Sequence, residues 1–155
     1  MMFGLCHELM GEWGFGWCRR LLILRENLGD ADEPPEPMRA AMGRMLRDYG
    51  FRPAAVKDAP PRVAEILRML SLRLASQRAA GHRFLMGARV SALDIHWAAM
   101  AALVAPLPEE VCAMPAMVRD LYGRLPEQAR AALDPALLEH RDAIYRDFME
   151  LPVRL

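Results

Sequence analysis

The segment RFLMGARVSALDIHWAAMAAL, residues 83–103, constrains the fold more than any other part of the chain. Ser91 and Asp94 stand at N-cap and N3 spacing. Each side chain can therefore serve a backbone N–H that the first turn of a helix leaves unpaired. Aspartate is a shorter substitute for the glutamate usual at N3. Val90 and Ile95 occupy N′ and N4, the two positions of a hydrophobic staple that sets how the chain enters the helix. The pattern predicts a helix from Ser91 to about Ala105, where Pro106 and Pro108 close it. It is alanine-rich and apolar nearly all round, so it is expected to be the central, most buried helix.

The rest of the chain falls into helices around it. Leu5, Leu9, Trp13, Trp17, Leu21, Leu24 and Leu28 recur at spacings of three and four, predicting one long helix from about Phe3 to Leu28. Gly11, Gly14 and Gly16 interrupt it, so it is expected either to bend there or to admit another backbone. After the loop DADEPPEP, Met38, Met42, Met45 and Leu46 predict a shorter helix over about 36–49. Val63, Ile66, Leu67, Leu70 and Leu74 predict another, from near Pro61 to Gly81, with Arg62, Glu65, Arg68 and Arg73 on its outer side. Pro115 to Leu125 reads as a short helix. Asp134 and Pro135 form an N-cap and N1 pair opening a last helix to about Glu150, with Leu137, Ile144, Tyr145 and Phe148 inward. No segment alternates with the period of a strand, and no solenoid-length repeat appears. The expectation is one all-α domain over residues 1–155, a bundle of about six helices.

Composition bears mainly on partners. Lys+Arg and Asp+Glu are both 20, so zero net charge supplies no field for nucleic acid or an anionic membrane surface. The longest apolar stretch, Trp97 to Leu107, is far short of the roughly 20 residues a membrane helix needs. Cys6, Cys18 and Cys112 form no CxxC pair. Together with the lack of a signal-peptide pattern, this leads us to expect reduced thiols and a cytoplasmic protein.

The stretch Gly87, Val90, Ser91, Asp94 and Ile95, within MGARVSALDIHW, resembles the sixth-helix region of glutathione S-transferases. There a glycine-containing approach, a capping box and a staple open the buried central helix. Helix order agrees, and the opening FGLCHELMGEWGFGWCRRL is similar to the first helix of the family's C-terminal domain in bacterial members. The resemblance spans about Phe3 to Phe148. It implies the all-helical C-terminal half of the family. The thioredoxin-like N-terminal half, which carries the catalytic residue and grips glutathione, is expected to be absent. Glutathione would then be a cofactor only if that half were supplied.

The resemblance also indicates where to look for a site, since in the family the first helix lines the pocket for an apolar co-substrate. His7, Met10, Gly14 and Trp17 fall at i, i+3, i+7 and i+10 of the expected helix, a candidate hydrophobic ligand pocket in which the glycine leaves room. Packing of Met10 and Trp17 into the core, or against a partner domain, competes with that reading. Val90, Ser91, Asp94 and Ile95 are expected to be structural, and no catalytic residue is assigned. His7, His82, His96 and His140 lack i, i+4 or HExxH spacing, so no metal site is expected. GEWGFG follows no strand, and His140-Arg141-Asp142 has none of the context of a kinase catalytic loop. Cys18, beside Arg19 and Arg20, is expected to be an inert thiol.

Three functions follow from these readings. The chain is a transferase-like domain that binds an apolar ligand or partner without conjugating glutathione by itself. Alternatively, it is part of an active glutathione transferase whose N-terminal domain lies outside it. In the third, it is a helical interaction or dimerisation module, as a homodimer or on a thioredoxin-like domain.

Overall fold

The computed structural model describes residues 2–28 and 56–153, and these are helical with no strand. The helix expected over 36–49 lies outside the described residues. Among those described, the elements in chain order are α1 (Met2–Met10), α2 (Phe15–Leu28), α3 (Ala59–Ala79), α4 (Ala92–Ala101), α5 (Ala116–Gly123), α6 (Glu127–Ala132) and α7 (Pro135–Phe148).

The expected first helix is two helices. The break falls at the glycines: Gly11 N–H closes on His7 O at 2.8 Å, Gly14 N–H on Gly11 O at 3.0 Å, and Trp13 takes a φ of 59°. Helix α3 forms as its apolar spacing predicts, with proline in its first turn and Val63, Ile66, Leu67, Leu70 and Leu74 buried. It ends in a Schellman motif. Gly81, at φ 77°, lets its own N–H reach Arg78 O and the His82 N–H reach Gln77 O.

Helix α4 is shorter than expected, because after Ala101 the chain tightens into turns toward Pro106. Two carbonyls of this turn are taken by side chains from elsewhere, Leu103 O by Arg19 and Ala105 O by Arg141. Its burial is also less complete than expected. Leu93, Trp97, Ala98 and Ala101 are buried, but Ala92 and Ala99 face solvent. Helix α6, only six residues long, has no counterpart in the sequence reading; its Ala129 and Ala132 are buried. Helix α7 opens as predicted, with Asp134 accepting from the Ala136 N–H and from the Ser71 hydroxyl of α3.

The core follows from these faces. Helix α3 packs on α2 and α6, and α4 on α7 and α1. Trp97 sits at the centre, fully buried, edge-on to Phe15 at 5.6 Å, with its indole N–H donated to Leu137 O at 2.9 Å. A second cluster lies under the far end of α7, where Phe84, Ala98, Leu107, Cys112, Ile144 and Tyr145 meet.

Candidate functional site

The break between α1 and α2 decides what the four first-helix candidates can do. A Cβ on Gly14 would lie 2.8 Å from the carbonyl oxygens of His7 and Glu8. The space beside this glycine is thus occupied by the backbone of the turn above it. Because the helix stops at Met10, the i, i+3, i+7, i+10 spacing no longer describes one face, and the structure does not align His7, Met10, Gly14 and Trp17 along a shared wall. Trp17 is half-buried and packs against the core on α2, while His7 and Met10 stay on α1. The His7 ring lies over Gly11, where a Cβ would meet it at 2.7 Å.

What α1 presents instead is an outward stripe. Phe3, His7 and Met10 share one face at i, i+4 and i+7; Phe3 is 83% exposed and Met10 50%. Of the nine residues of this mostly apolar helix, only Leu9 is fully buried. Helical periodicity identified the helix but assigned its apolar residues inward, and Phe3 escaped notice because it lies outside the three-four leucine stripe.

The joint itself is anchored by Trp13, whose left-handed backbone costs on the order of 1–3 kcal/mol in a non-glycine residue. Its carbonyl accepts from Arg62 Nε at 3.2 Å and from the Cys18 thiol at 3.6 Å. Arg62 also pairs with Glu8 of α1 and Glu65 of α3, so one guanidinium ties the joint to the start of α3. A cleft of about 400 Å³ opens here between Trp13, Pro61 and Arg62, with Asp58 and Glu65 at its edge. The glycines signalled a break in the sequence, but not which residue would take the positive φ.

The capping box forms as its spacing predicts and reaches further than a cap. Asp94 Oδ2 accepts from the Ser91 N–H at 2.9 Å and from the Ser91 hydroxyl at 2.6 Å. Asp94 Oδ1 accepts from the Leu85 N–H at 2.8 Å and from His140 Nε2 at 2.8 Å. Burial alone would push the Asp94 carboxyl up. The bonds from His140, Ser91 and the Leu85 N–H more than offset this and hold it below the usual carboxylate range. Val90 and Ile95 are half-buried and pack against the second cluster, Phe84 among it.

Serine, aspartate and histidine thus meet, but not in the order of a nucleophilic triad. The Ser91 hydroxyl is bonded to the carboxylate rather than to the imidazole, so no base stands ready to take its proton. All the donors converge on Asp94, and the arrangement holds the 85–91 approach, α4 and α7 together. His140 is the residue of this centre that motif reading passed over. Neither pairing of histidines nor HRD context pointed to it.

Two further buried groups belong to the frame. Arg19 is fully buried and donates to Leu103 O, Tyr122 O and Arg124 O, closing the carbonyl ends of α4 and α5. Burial brings it down to about 10, an effect Glu26 partly opposes. Burial pushes the Cys18 thiol up to about 11 against the lowering influence of Arg62. Despite Arg19 and Arg20 beside it, Cys18 is therefore a poor nucleophile. His96 Nδ1 is buried with no hydrogen-bond partner among the described residues.

Among the described residues no three His, Cys, Asp or Glu side chains cluster to hold a metal, and no helix is long and apolar enough to cross a membrane. No protein-family model, curated protein or solved structure matches this chain.

Proposed function

We propose that this chain is a binding domain of the glutathione S-transferase C-terminal type, one that holds a protein partner on the outer face of α1 and does not itself conjugate glutathione. The observation that carries this reading is the exposed Phe3, His7 and Met10 stripe on a helix that buries only Leu9 completely. Apolar side chains gathered on one helix face mark a contact surface more often than scattered ones do. The partner favoured here is a second copy of the chain. The stripe has no acidic, lysine or arginine side chain, and zero net charge sets no overall repulsion between copies. The non-conjugating part of this reading rests on the resemblance, in which the catalytic residue and the glutathione grip belong to the thioredoxin-like half.

Sedimentation velocity over roughly a hundredfold range of concentration tests the partner. Concentration-dependent dimer that disappears in a Phe3→Ser, Met10→Ser double variant supports the reading. A strictly monomeric wild type overturns the second copy as occupant, in favour of a separate domain, thioredoxin-like on the resemblance. Glutathione conjugation to an aryl halide, assayed on this chain alone, is expected to stay at background. Clear turnover would overturn the non-conjugating part.

A further inference from the structure

Where Pro106 and Pro108 turn the chain away from α4, a cleft of about 300 Å³ opens against the last turns of α7. Its walls are apolar, from Leu107, Val111 and Leu151. The segment following α7 is held over it, because the Val153 N–H donates to Val111 O at 2.8 Å. The opposite rim is also fixed: Arg119 of α5 donates to Leu107 O and Cys112 O. The cleft is therefore formed by tied segments on both sides.

Its lining also includes two nearly enclosed side chains of α7, one turn apart. Arg141 is 5% exposed and Tyr145 6%. The Arg141 guanidinium donates Nη1–H to Ala105 O at 2.5 Å and Nε–H to Asp142 Oδ1 at 2.8 Å. Its Nη2 has no acceptor among the described residues, and neither has the Tyr145 hydroxyl. Both line the cleft. Burial, with Cys112 nearby, pushes the Tyr145 hydroxyl up against the influence of Arg141, so it stays protonated and able to donate. Arg146, one turn on, also lines the cleft, with its Nε–H donated to Asp147 Oδ1 at 3.0 Å.

A mostly apolar cleft with a few donors in its lining is the form of a small-molecule site, and this volume lies at the small end of that range. Two donors, one of them charged, match the two oxygens of a carboxylate. We propose that this cleft binds a small apolar carboxylate, an aryl- or alkyl-alkanoate, with its oxygens on Arg141 and Tyr145 and its hydrocarbon against Leu107, Val111 and Leu151. The site lies away from α1, and its occupancy does not depend on the partner surface.

The test titrates 4-phenylbutanoate, and separately its primary amide, into the full chain while backbone amide NMR shifts are followed. The acid is expected to bind saturably, with the largest shifts at Val111, Tyr145 and Leu151. The amide is expected to bind roughly tenfold more weakly, having lost the charged acceptor. Because the Tyr145 hydroxyl has no partner among the described residues, Tyr145→Phe should unfold at the wild-type temperature yet bind the acid about fivefold more weakly. Leu151→Ala, at a 42% exposed position, should weaken acid and amide alike. Equal affinity of acid and amide, shifts centred on Phe3 and Met10, undiminished binding by Tyr145→Phe, or no saturable binding would each overturn the proposal.

Discussion

His140 Nε2 donates to Asp94 Oδ1 across 2.8 Å, joining the middle of α7 to the first turn of α4, with side-chain exposures of 4% and 0%. The carboxylate has three other donors, two from Ser91 and one from the Leu85 backbone. A single side chain thus ties the 85–91 approach and the start of α4 to α7, 46 residues further on, and a buried anion with every donor in place is sensitive to the loss of any of them.

Removing the acceptor is the more damaging change. Asp94→Ala leaves the Leu85 and Ser91 N–H groups and His140 without their acceptor, and is expected to destabilise by about 3–5 kcal/mol. His140→Ala leaves Asp94 its other three donors and should lose about 2–3 kcal/mol. Urea unfolding monitored by far-UV circular dichroism gives both values. Equal losses from the two substitutions would contradict the picture of Asp94 as the hub.

The same carboxylate governs the acid limb of stability. Asp94 is held below its ordinary value in the folded protein, so its contribution is complete above the unfolded-state value of about 3.9. That contribution is lost as pH falls through the lower folded value. Asp134, held down by the Ser71 hydroxyl and the Ala136 N–H, adds to the same limb. Unfolding free energy measured from neutral pH down through this window should fall, and it should fall less steeply in Asp94→Asn. An unchanged slope in that variant would assign the limb to other groups.

Gly4 within α1 and Gly14 at the joint before α2 should respond in opposite directions. Gly4 has open space where a Cβ would stand, so Gly4→Ala is expected to stabilise by about 0.5–1 kcal/mol through helix propensity. Gly14→Ala would drive a methyl into the His7 and Glu8 carbonyls at 2.8 Å and should destabilise by about 1–3 kcal/mol. Thermal unfolding of the two variants decides this. A neutral Gly14→Ala would mean that the joint between α1 and α2 can relax.

Thiol labelling should separate the three cysteines. Cys6 is half-buried, whereas Cys18 and Cys112 are buried, and the Cys18 thiol is raised to about 11. In native protein near pH 8, an aromatic disulfide reagent is expected to label Cys6 first, slowly because burial raises that thiol too. Cys18 and Cys112 should react only on unfolding. Peptide mapping that found Cys18 modified first would place the joint in an open state.

How far the sequence reached depended on how local each signal was. The capping box, the Asp134–Pro135 start of α7 and the inward face of α3 are set by neighbours within a turn or two, and the structure reproduces them. Other features were poorly placed. Phe148 was expected inward on α7 but is 44% exposed at the bundle's edge, against Phe84. Helix α6 is too short, at six residues, to carry a period. Being polar, His140 and Arg141 gave no apolar signal on α7, yet both are buried.

By itself, then, the sequence determined that this chain is helical and where its strongest helices begin, because capping, proline geometry and apolar spacing act within one turn. It also marked the glycines where a long helix was vulnerable. Only the tertiary structure decided that those glycines break the helix in two, that α1 turns Phe3 and Met10 outward, and that Asp94 finds His140 46 residues away. Those outcomes depend on which backbone and which donor arrive from a distant segment, and no local pattern records that. The box that opens α4 was legible as a helix cap; its role as the buried joint of α4, α7 and the 85–91 approach belongs to the packing.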